Sequence, residues 1–292
     1  MKKNMLALSM IMLGAVLIMS FTNKKQKTEK NVFIQLYSVR NDIQVDFKGT
    51  LGQVAKAGYA GIEAANYDNG KFYGLTPEVF KKQVEATGMQ VLSSHTAKSL
   101  GDDVEKTDWN EVWKWWDTAI SAHKAAGMKY IVAPSMPHVK TLADLKTYCD
   151  YYNHIGEKCN AAGLRFGYHN HDFEFVEIEG ARMYDYMLEN TDPTKVFFEM
   201  DVYWTVRGGQ SPVDYFNKYP GRFELLHIKD NKELGQSGMV GFDAIFKNLD
   251  KAGTKHLIVE VEKYNYTPLE SVKMSLDYIL NQDGLINFFQ KK

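Results

Sequence analysis

One pattern of apolar and polar positions recurs along the chain: a helical stretch ends at a glycine, and a short apolar strand follows directly. It occurs five times, at Gly58, Gly88, Gly127, Gly163 and Gly253. Glycine readily adopts the left-handed conformation that ends a helix. A strand that is apolar throughout is typical of a parallel sheet with both faces buried. The pattern therefore predicts at least five helix-to-strand units.

Three more apolar segments complete a regular alternation of strands and helices. The predicted strands are 32–37, 59–65, 89–95, 128–134, 164–169, 195–201, 223–229 and 256–261. The predicted helices are 47–57, 77–87, 109–126, 142–162, 181–190, 212–219, 242–252 and 268–280. Eight such units favour a closed (β/α)₈ TIM barrel. An open doubly wound sheet is the alternative, but it would require a glycine-rich loop after the first strand, and residues 35–40 are not one.

The first thirty residues differ from the rest of the 292-residue chain. Lys2 and Lys3 precede an uncharged apolar run from Met5 to Phe21, and a polar, lysine-rich segment follows it. This order is typical of a secretory leader. We therefore expect residues 1–30 to be a leader and linker, and residues 31–292 to be one barrel domain exported to the periplasm. An uncleaved signal anchor is the alternative; once the leader is removed, we expect no membrane association.

Net charge argues against nucleic-acid binding, and cysteine spacing argues against a disulfide. The formal net charge is −1, so the chain has no overall basic field for binding a nucleic-acid backbone. Cys149 and Cys159 lie in one predicted helix, where ten residues rise about 15 Å. That separation is too large for a disulfide, so we expect two free thiols.

Polar side chains accumulate where the predicted strands end, which is where barrel enzymes carry their catalytic groups. These residues are Gln35, Tyr37, Glu63, His95, His169, His171, Glu199, Asp201, Trp204, His227, Lys229, Glu260 and Glu262. Any one of them has an ordinary structural explanation, such as an ion pair between Glu199 and Lys229. Their coincidence across the barrel favours a functional site, and a divalent cation held by Asp, His and Glu would relieve the repulsion among the carboxylates.

At these same residues the sequence resembles the sugar phosphate isomerase/epimerase family of the xylose isomerase-like TIM-barrel superfamily. The resemblance runs from Ile34 to about Leu280. It is carried by IQLYSVR at 34–40, GYHNHDFEF at 167–175, EMDVYW at 199–204, HIKD at 227–230 and IVE at 258–260.

The resemblance implies a divalent ion, such as Mn, Zn, Co or Mg, held by residues from strands four, six, seven and eight. Asp201, His227 and Glu260 match three of these positions. The glutamate expected on strand four is absent, because Pro134 and Ser135 stand there. We expect His171 to complete the metal site, with His169, Glu63 or water as alternatives.

The resemblance also implies proton transfer next to a carbonyl of a sugar or keto-sugar, with the metal stabilising the enediolate. Glu260 would act as a ligand or base, and His95, His169 or Lys229 as the acid or as a contact for substrate oxygens. We expect substrate contacts from the polar and aromatic residues Gln35, Tyr37, Glu63, Glu199 and Trp204. Returning the proton elsewhere gives isomerisation or epimerisation. Expelling a β-leaving group gives a lyase, dehydratase or hydrolase acting on a 3-keto glycoside.

Three other functions remain open from the sequence. One is a non-catalytic carbohydrate-binding barrel, which the missing strand-four glutamate favours. Another is a nuclease of the apurinic endonuclease branch, which the net charge of −1 disfavours. The third is a soluble interaction protein without chemistry in a pocket. Export favours a free sugar over a sugar phosphate. A tryptophan-rich helix face at Trp109, Trp113 and Trp116 indicates either core packing or contact between subunits of a homo-oligomer.

Overall fold

A computed structural model of the chain describes residues 31–101, 104–285 and 288–289. The predicted leader, residues 1–30, lies outside this part of the chain. Within it, no helix combines the length and the apolar character that crossing a membrane requires.

Eight parallel strands form the nearly closed barrel that the sequence predicts. They are β1 (Val32–Gln35), β2 (Gly61–Ala64), β3 (Gln90–Ser94), β4 (Tyr130–Ala133), β5 (Arg165–His169), β6 (Val196–Asp201), β7 (Leu225–Lys229) and β8 (His256–Glu260). Their order around the sheet is β3-β2-β1-β8-β7-β6-β5-β4. The two end strands meet through a single parallel bridge between His95 and Val132.

Eleven α-helices lie between and after these strands in the described residues. They are α1 (Arg40–Val45), α2 (Phe47–Ala57), α3 (Pro77–Glu85), α4 (Trp109–Ala125), α5 (Leu142–Ala162), α6 (Met183–Asn190), α7 (Val202–Arg207), α8 (Pro212–Lys218), α9 (Phe242–Phe246), α10 (Leu249–Ala252) and α11 (Pro268–Leu280). The five predicted glycines all follow helices with φ between 75° and 113°, so the expected left-handed conformation is confirmed.

Some predicted helices have different limits. The predicted helix 242–252 is two helices, because the chain turns at Lys247 and Asn248 between α9 and α10. The predicted helix 181–190 begins later, because Ala181–Arg182 pairs with Glu177–Ile178 in a small antiparallel hairpin. A second hairpin pairs Tyr67–Asp68 with Lys71–Phe72.

The barrel interior is divided along its axis. One layer is apolar and consists of Phe33, Leu92, Tyr130, Val132, Phe197, Leu225 and Ile258. Towards the carboxyl ends of the strands, the interior side chains become polar. The tryptophan-rich face of α4 packs within the chain: Trp116 is fully buried and donates a hydrogen bond from Nε1 to the Tyr151 hydroxyl on α5, at 2.6 Å. Cys149 and Cys159 are both buried free thiols.

Candidate metal and catalytic site

Four neighbouring strands each bring one ligand-type side chain to the carboxyl end of the barrel. His169 ends β5, Asp201 ends β6, His227 lies on β7 and Glu260 ends β8. One nitrogen or oxygen from each lies within 4.8 Å of the others, and all four residues are buried. We call these four residues the ligand cluster.

Asp201 has a second structural task that orients its carboxylate. Its Oδ1 accepts a hydrogen bond from the Trp204 backbone N–H at 2.9 Å and so caps the start of α7. Its Oδ2 is buried without a hydrogen-bond partner and lies 3.5 Å from His169 Nε2. The cap therefore uses one oxygen and leaves the other facing the cluster.

Both histidines of the ligand cluster are held from outside it. His169 Nδ1 lies 3.1 Å from the Pro134 carbonyl oxygen, which can only accept, so Nδ1 carries the proton and Nε2 presents its lone pair to the cluster. His227 Nε2 lies 2.8 Å from Glu63 Oε1, and its Nδ1 is 3.5 Å from Glu260 Oε2. Metal-bound histidines in proteins are usually oriented in this way.

The donor set fits a divalent cation. His169 Nε2, Asp201 Oδ2 and His227 Nδ1 are all buried without a hydrogen-bond partner. Leaving such atoms unpaired costs about 1–3 kcal/mol each, and a cation among them would satisfy all three. Two imidazoles and two carboxylates suit Zn²⁺, Mn²⁺ or Co²⁺ better than Mg²⁺, which prefers oxygen.

Below the ligand cluster lies a second polar layer, in which carboxylates and imidazoles alternate. His95 Nε2 is 2.9 Å from Glu199 Oε2 and 3.1 Å from Glu63 Oε1. His227 Nε2 contacts the same two carboxylates, at 2.8 Å from Glu63 and 3.4 Å from Glu199. Glu63 and Glu199 are both fully buried.

The electrostatics of this layer follow from burial and charge. Burial would lower the pKa of His95, but Glu63 and Glu199 outweigh it and raise that pKa to about 9. Burial raises the pKa of Glu199 to about 7, and the negative Glu63 adds to the effect. For Glu63, His95 and His227 outweigh burial and hold the pKa well below its usual range. Glu63 is thus an ionised acceptor.

Lys229 lies beside the ligand cluster. Its Nζ is 2.8 Å from Glu260 Oε2 and 2.7 Å from Glu262 Oε1, and it sits over the Trp204 ring, 5.1 Å from the ring centroid. The Lys229 side chain is only 2% exposed. Its buried ammonium therefore forms ion pairs with both Glu260 and Glu262.

A cavity of about 300 Å³ opens onto the cluster. Its walls are formed by Tyr37, Ala65, His95, Pro134, His169, His171, Glu260 and Glu262. Tyr37, predicted as a substrate contact, lies on this wall. Trp204, also predicted, is half-buried beneath Lys229, with its Nε1 buried and unpartnered.

The remaining predicted substrate contacts require correction. Gln35, Glu63 and Glu199 are fully buried in the layer below the ligand cluster and do not line the cavity. Gln35 Nε2 donates to Glu63 at 2.9 Å, and Ser93 Oγ donates to it at 2.6 Å. The three strands carrying these residues are paired in register, which places Gln35 and Ser93 beside Glu63 at one depth of the barrel. Ser93 was missed, because only this register identifies it.

The fourth corner of the ligand cluster also differs from expectation. The resemblance implied a ligand from strand four, with His171 in its place, whereas the structure brings His169 from β5 to the cluster. β5 ends at His169, and the chain then turns, so His171 instead lines the cavity with its Nδ1 unpartnered. Glu174, fully buried, anchors this turn by accepting the His171 backbone N–H at 2.8 Å.

Comparisons with known proteins are consistent with this architecture. A family model described as the xylose isomerase-like TIM barrel matches residues 51–282. A solved sugar phosphate isomerase/epimerase from Parabacteroides distasonis ATCC 8503 is 35% identical, with a TM-score of 0.83, over 88% of this chain and 95% of that one.

Two more distant proteins also match. An inosose dehydratase of Lacticaseibacillus casei is 24% identical over 210 residues; the match spans 65% of this chain and 65% of that enzyme's length. The structure of the IOLI protein with a bound zinc atom is 15% identical with a TM-score of 0.65, over 86% of this chain and 97% of that one. The likeness to IOLI is one of fold.

Proposed function

This chain belongs to the xylose isomerase-like TIM barrel family, and from that premise we propose that it is a metal-dependent enzyme that isomerises a sugar or keto-sugar by moving a proton next to the carbonyl. The observation that carries the proposal is the convergence of three buried, unpartnered ligand atoms with Glu260 at the mouth of the barrel. His169, Asp201, His227 and Glu260 would hold the ion. A bound divalent cation supplies Lewis acidity toward a substrate oxygen.

Glu260 is the proton acceptor in this proposal. Its carboxylate lines the cavity, and the Lys229 ammonium, 2.8 Å away, fixes its position. Burial opposes ionisation, but Lys229 and His227 outweigh it and keep the pKa of Glu260 well below its usual range. The group therefore begins the cycle ionised and able to accept a proton.

The arrangement favours transfer by one base on one face of the substrate. Epimerisation by two bases requires a second acceptor on the opposite face. Among the residues that line the cavity, the other carboxylate is Glu262, and it shares the same Lys229 ammonium as Glu260. Of the histidines on the wall, His95 is paired with two buried glutamates, and burial lowers the pKa of His171 to about 4, which makes it a weak proton acceptor. Glu260 would therefore return the proton to the neighbouring carbon, which is isomerisation.

β-Elimination is the second candidate, because it uses the same first step and also requires only one base. It would make the protein a lyase acting on a 3-keto glycoside, and the inosose dehydratase of L. casei supports this outcome at the level of sequence similarity. His171, which lines the cavity with an unpartnered Nδ1, is positioned to assist the departing oxygen. Product analysis separates the two outcomes.

An uncharged substrate suits the cavity better than a sugar phosphate. None of the residues lining the cavity is lysine or arginine, and two are glutamates. The nearby Lys229 is already paired with both glutamates. The His95 imidazole on the cavity wall is already paired with Glu63 and Glu199. A phosphate group would therefore meet two glutamates and no lysine or arginine side chain to pair with.

The first test is the metal content of the purified protein beside Asp201→Ala and His227→Ala. We expect about one Mn, Zn or Co per chain in the wild type and its loss in both variants, because each removes one of the four ligands. Asp277→Ala, which alters an exposed ion pair on α11, is the control and should keep the metal. A wild-type protein that binds no metal after soaking would refute the mechanism and favour a binding barrel.

Activity is tested on metal-loaded protein with free sugars and 3-keto glycosides in D₂O. Isomerisation by one base gives a product that is an isomer of the substrate and that carries deuterium from the solvent next to the carbonyl. Elimination instead releases the leaving alcohol and an unsaturated ketone. Glu260→Gln should abolish either reaction.

A further inference from the structure

We propose that Glu63 is a positioning residue: it selects the tautomer of His227 and so prepares the metal site from beneath. The inference rests on the metal-dependent function proposed above. In this role Glu63 contacts neither the substrate nor the metal.

Glu63 is surrounded by hydrogen-bond donors. Its Oε1 accepts from Gln35 Nε2 at 2.9 Å and faces His227 Nε2 at 2.8 Å, while its Oε2 accepts from Ser93 Oγ at 2.6 Å. The side chain is fully buried and absent from the cavity wall. A carboxylate in this setting stays ionised and acts only as an acceptor.

An ionised Glu63 dictates where the His227 proton lies. At 2.8 Å, a protonated Nε2 makes a charge-assisted hydrogen bond to the carboxylate, whereas a bare Nε2 would place two lone pairs against each other. The proton therefore stays on Nε2. When a cation is bound, the lone pair on Nδ1 would then face it, together with Asp201 Oδ2, 3.9 Å from Nδ1, and Glu260 Oε2, 3.5 Å from Nδ1.

Within the described part of the chain, Glu199 is the other carboxylate in contact with His227 Nε2, at 3.4 Å. It is 2.9 Å from His95 Nε2, which is a closer partner. Glu63 therefore makes the shorter contact with His227, and Glu199 with His95. The pairing leaves Glu63 as the residue that orients the ligand histidine.

The test compares zinc affinity in wild type, Glu63→Gln and Glu233→Gln by competition with a chromophoric chelator. Glu63→Gln keeps the shape but removes the negative charge facing His227, so zinc should bind about 10–100-fold more weakly. Glu233 is the matched control: it is a buried carboxylate whose partners are Ser271 and Asn265, so its zinc affinity should not change.

A spectroscopic readout separates positioning from a general loss of structure. In zinc-loaded wild type, long-range ¹H–¹⁵N spectra should show the His227 proton on Nε2 and the metal on Nδ1. The wild-type spectrum decides the matter even if Glu63→Gln folds poorly. A proton on Nδ1, or zinc on Nε2, would overturn the assignment.

The failures of the two proposals are distinguishable. If wild type binds no zinc, the metal-dependent function fails and the role of Glu63 fails with it. If wild type and a folded Glu63→Gln bind zinc equally, only the role of Glu63 is refuted. If wild type binds two zinc ions and Glu63→Gln loses one of them, Glu63 is itself a ligand and the positioning role is likewise overturned.

Discussion

Glu174 is a buried carboxylate that holds the turn after β5. Its Oε1 accepts from the Tyr168 hydroxyl at 2.7 Å, and its Oε2 accepts from the His171 backbone N–H at 2.8 Å. Burial raises the pKa of Glu174 from 4.5 to about 7. The folded protein therefore binds this proton more tightly than the unfolded chain does, and at neutral pH the carboxyl is close to half-protonated.

This raised pKa predicts a pH-dependent contribution to stability. The contribution is fully present below pH 4.5 and is lost as pH rises through about 7. The shift corresponds to on the order of 3 kcal/mol, since one pKa unit is about 1.4 kcal/mol. Glu174→Gln imitates the protonated acid, because its amide can donate to Tyr168 while its oxygen accepts from His171.

Urea unfolding at pH 5 and pH 8 measures this effect. The difference in free energy of unfolding between wild type and Glu174→Gln should shift against wild type as the pH rises from 5 to 8. Taking the difference cancels the titration of other groups that both proteins share. Two curves that remain parallel across the range would show that Glu174 does not change its protonation on folding.

At the level of single residues, the predicted strands place Asp201, His227 and Glu260 at the carboxyl end of the barrel, and the structure has all three there, on or at the end of a regular strand. Their role as metal ligands stays a prediction. Strand alternation could not choose between His169 and His171, because β5 stops at the first of them. Nor could it give depth along the barrel axis. Glu63 is buried beside Gln35 and Ser93 and does not line the cavity, and these neighbours follow from a register that depends on β1, β2 and β3 together.

At the level of elements, two helical glycines allow a matched comparison. Gly156 in α5 is buried, and a Cβ there would lie 2.3 Å from the Lys195 backbone oxygen, just before β6. Gly52 in α2 is exposed, and a Cβ there would meet nothing within 4 Å. The first glycine permits close packing of a helix against the barrel, whereas the second only costs helix stability.

Alanine substitution should therefore change stability in opposite directions at the two sites. Gly52→Ala should stabilise the protein by about 0.5–1 kcal/mol. Gly156→Ala should destabilise it by about 1–3 kcal/mol, because α5 must move away from rigid backbone. Chemical unfolding of both variants measures the two values. Equal effects of the same sign would mean that α5 is not packed as closely as described.

A left-handed glycine marked the start of the next strand after five predicted helices, and for α2 and α5 the predicted limits agree with the structure. It did not secure the whole helix in every case, because 242–252 is divided into α9 and α10, and α11 agrees at 268–280 without such a glycine. Short helices in the loops at the carboxyl end of the barrel were missed. One example is α7, which begins directly after β6 and is capped by Asp201. Asp201, which caps α7, also belongs to the ligand cluster. The sequence pattern therefore assigns the residues after β6 to the functional site and predicts no helix there.

At the scale of the whole molecule, the apolar run from Met5 to Phe21 precedes a barrel whose first strand begins at Val32. We propose that the run directs export and that the barrel functions outside the cytoplasm. This location agrees with a cavity that offers no lysine or arginine to a phosphate, since most sugar phosphates stay inside the cell.

Expression of the full chain and of a variant lacking residues 1–30 tests this proposal. The full chain should appear in the periplasmic fraction with its N-terminus removed, whereas the shortened chain should stay in the cytoplasm. Both should bind zinc with the same affinity, because every ligand-cluster residue lies in strands β5 to β8. A full chain that remains intact in the membrane fraction would identify the run as a signal anchor. A full chain found intact in the cytoplasm would refute export. The case for an unphosphorylated substrate would then rest only on the cavity wall, which has no lysine or arginine.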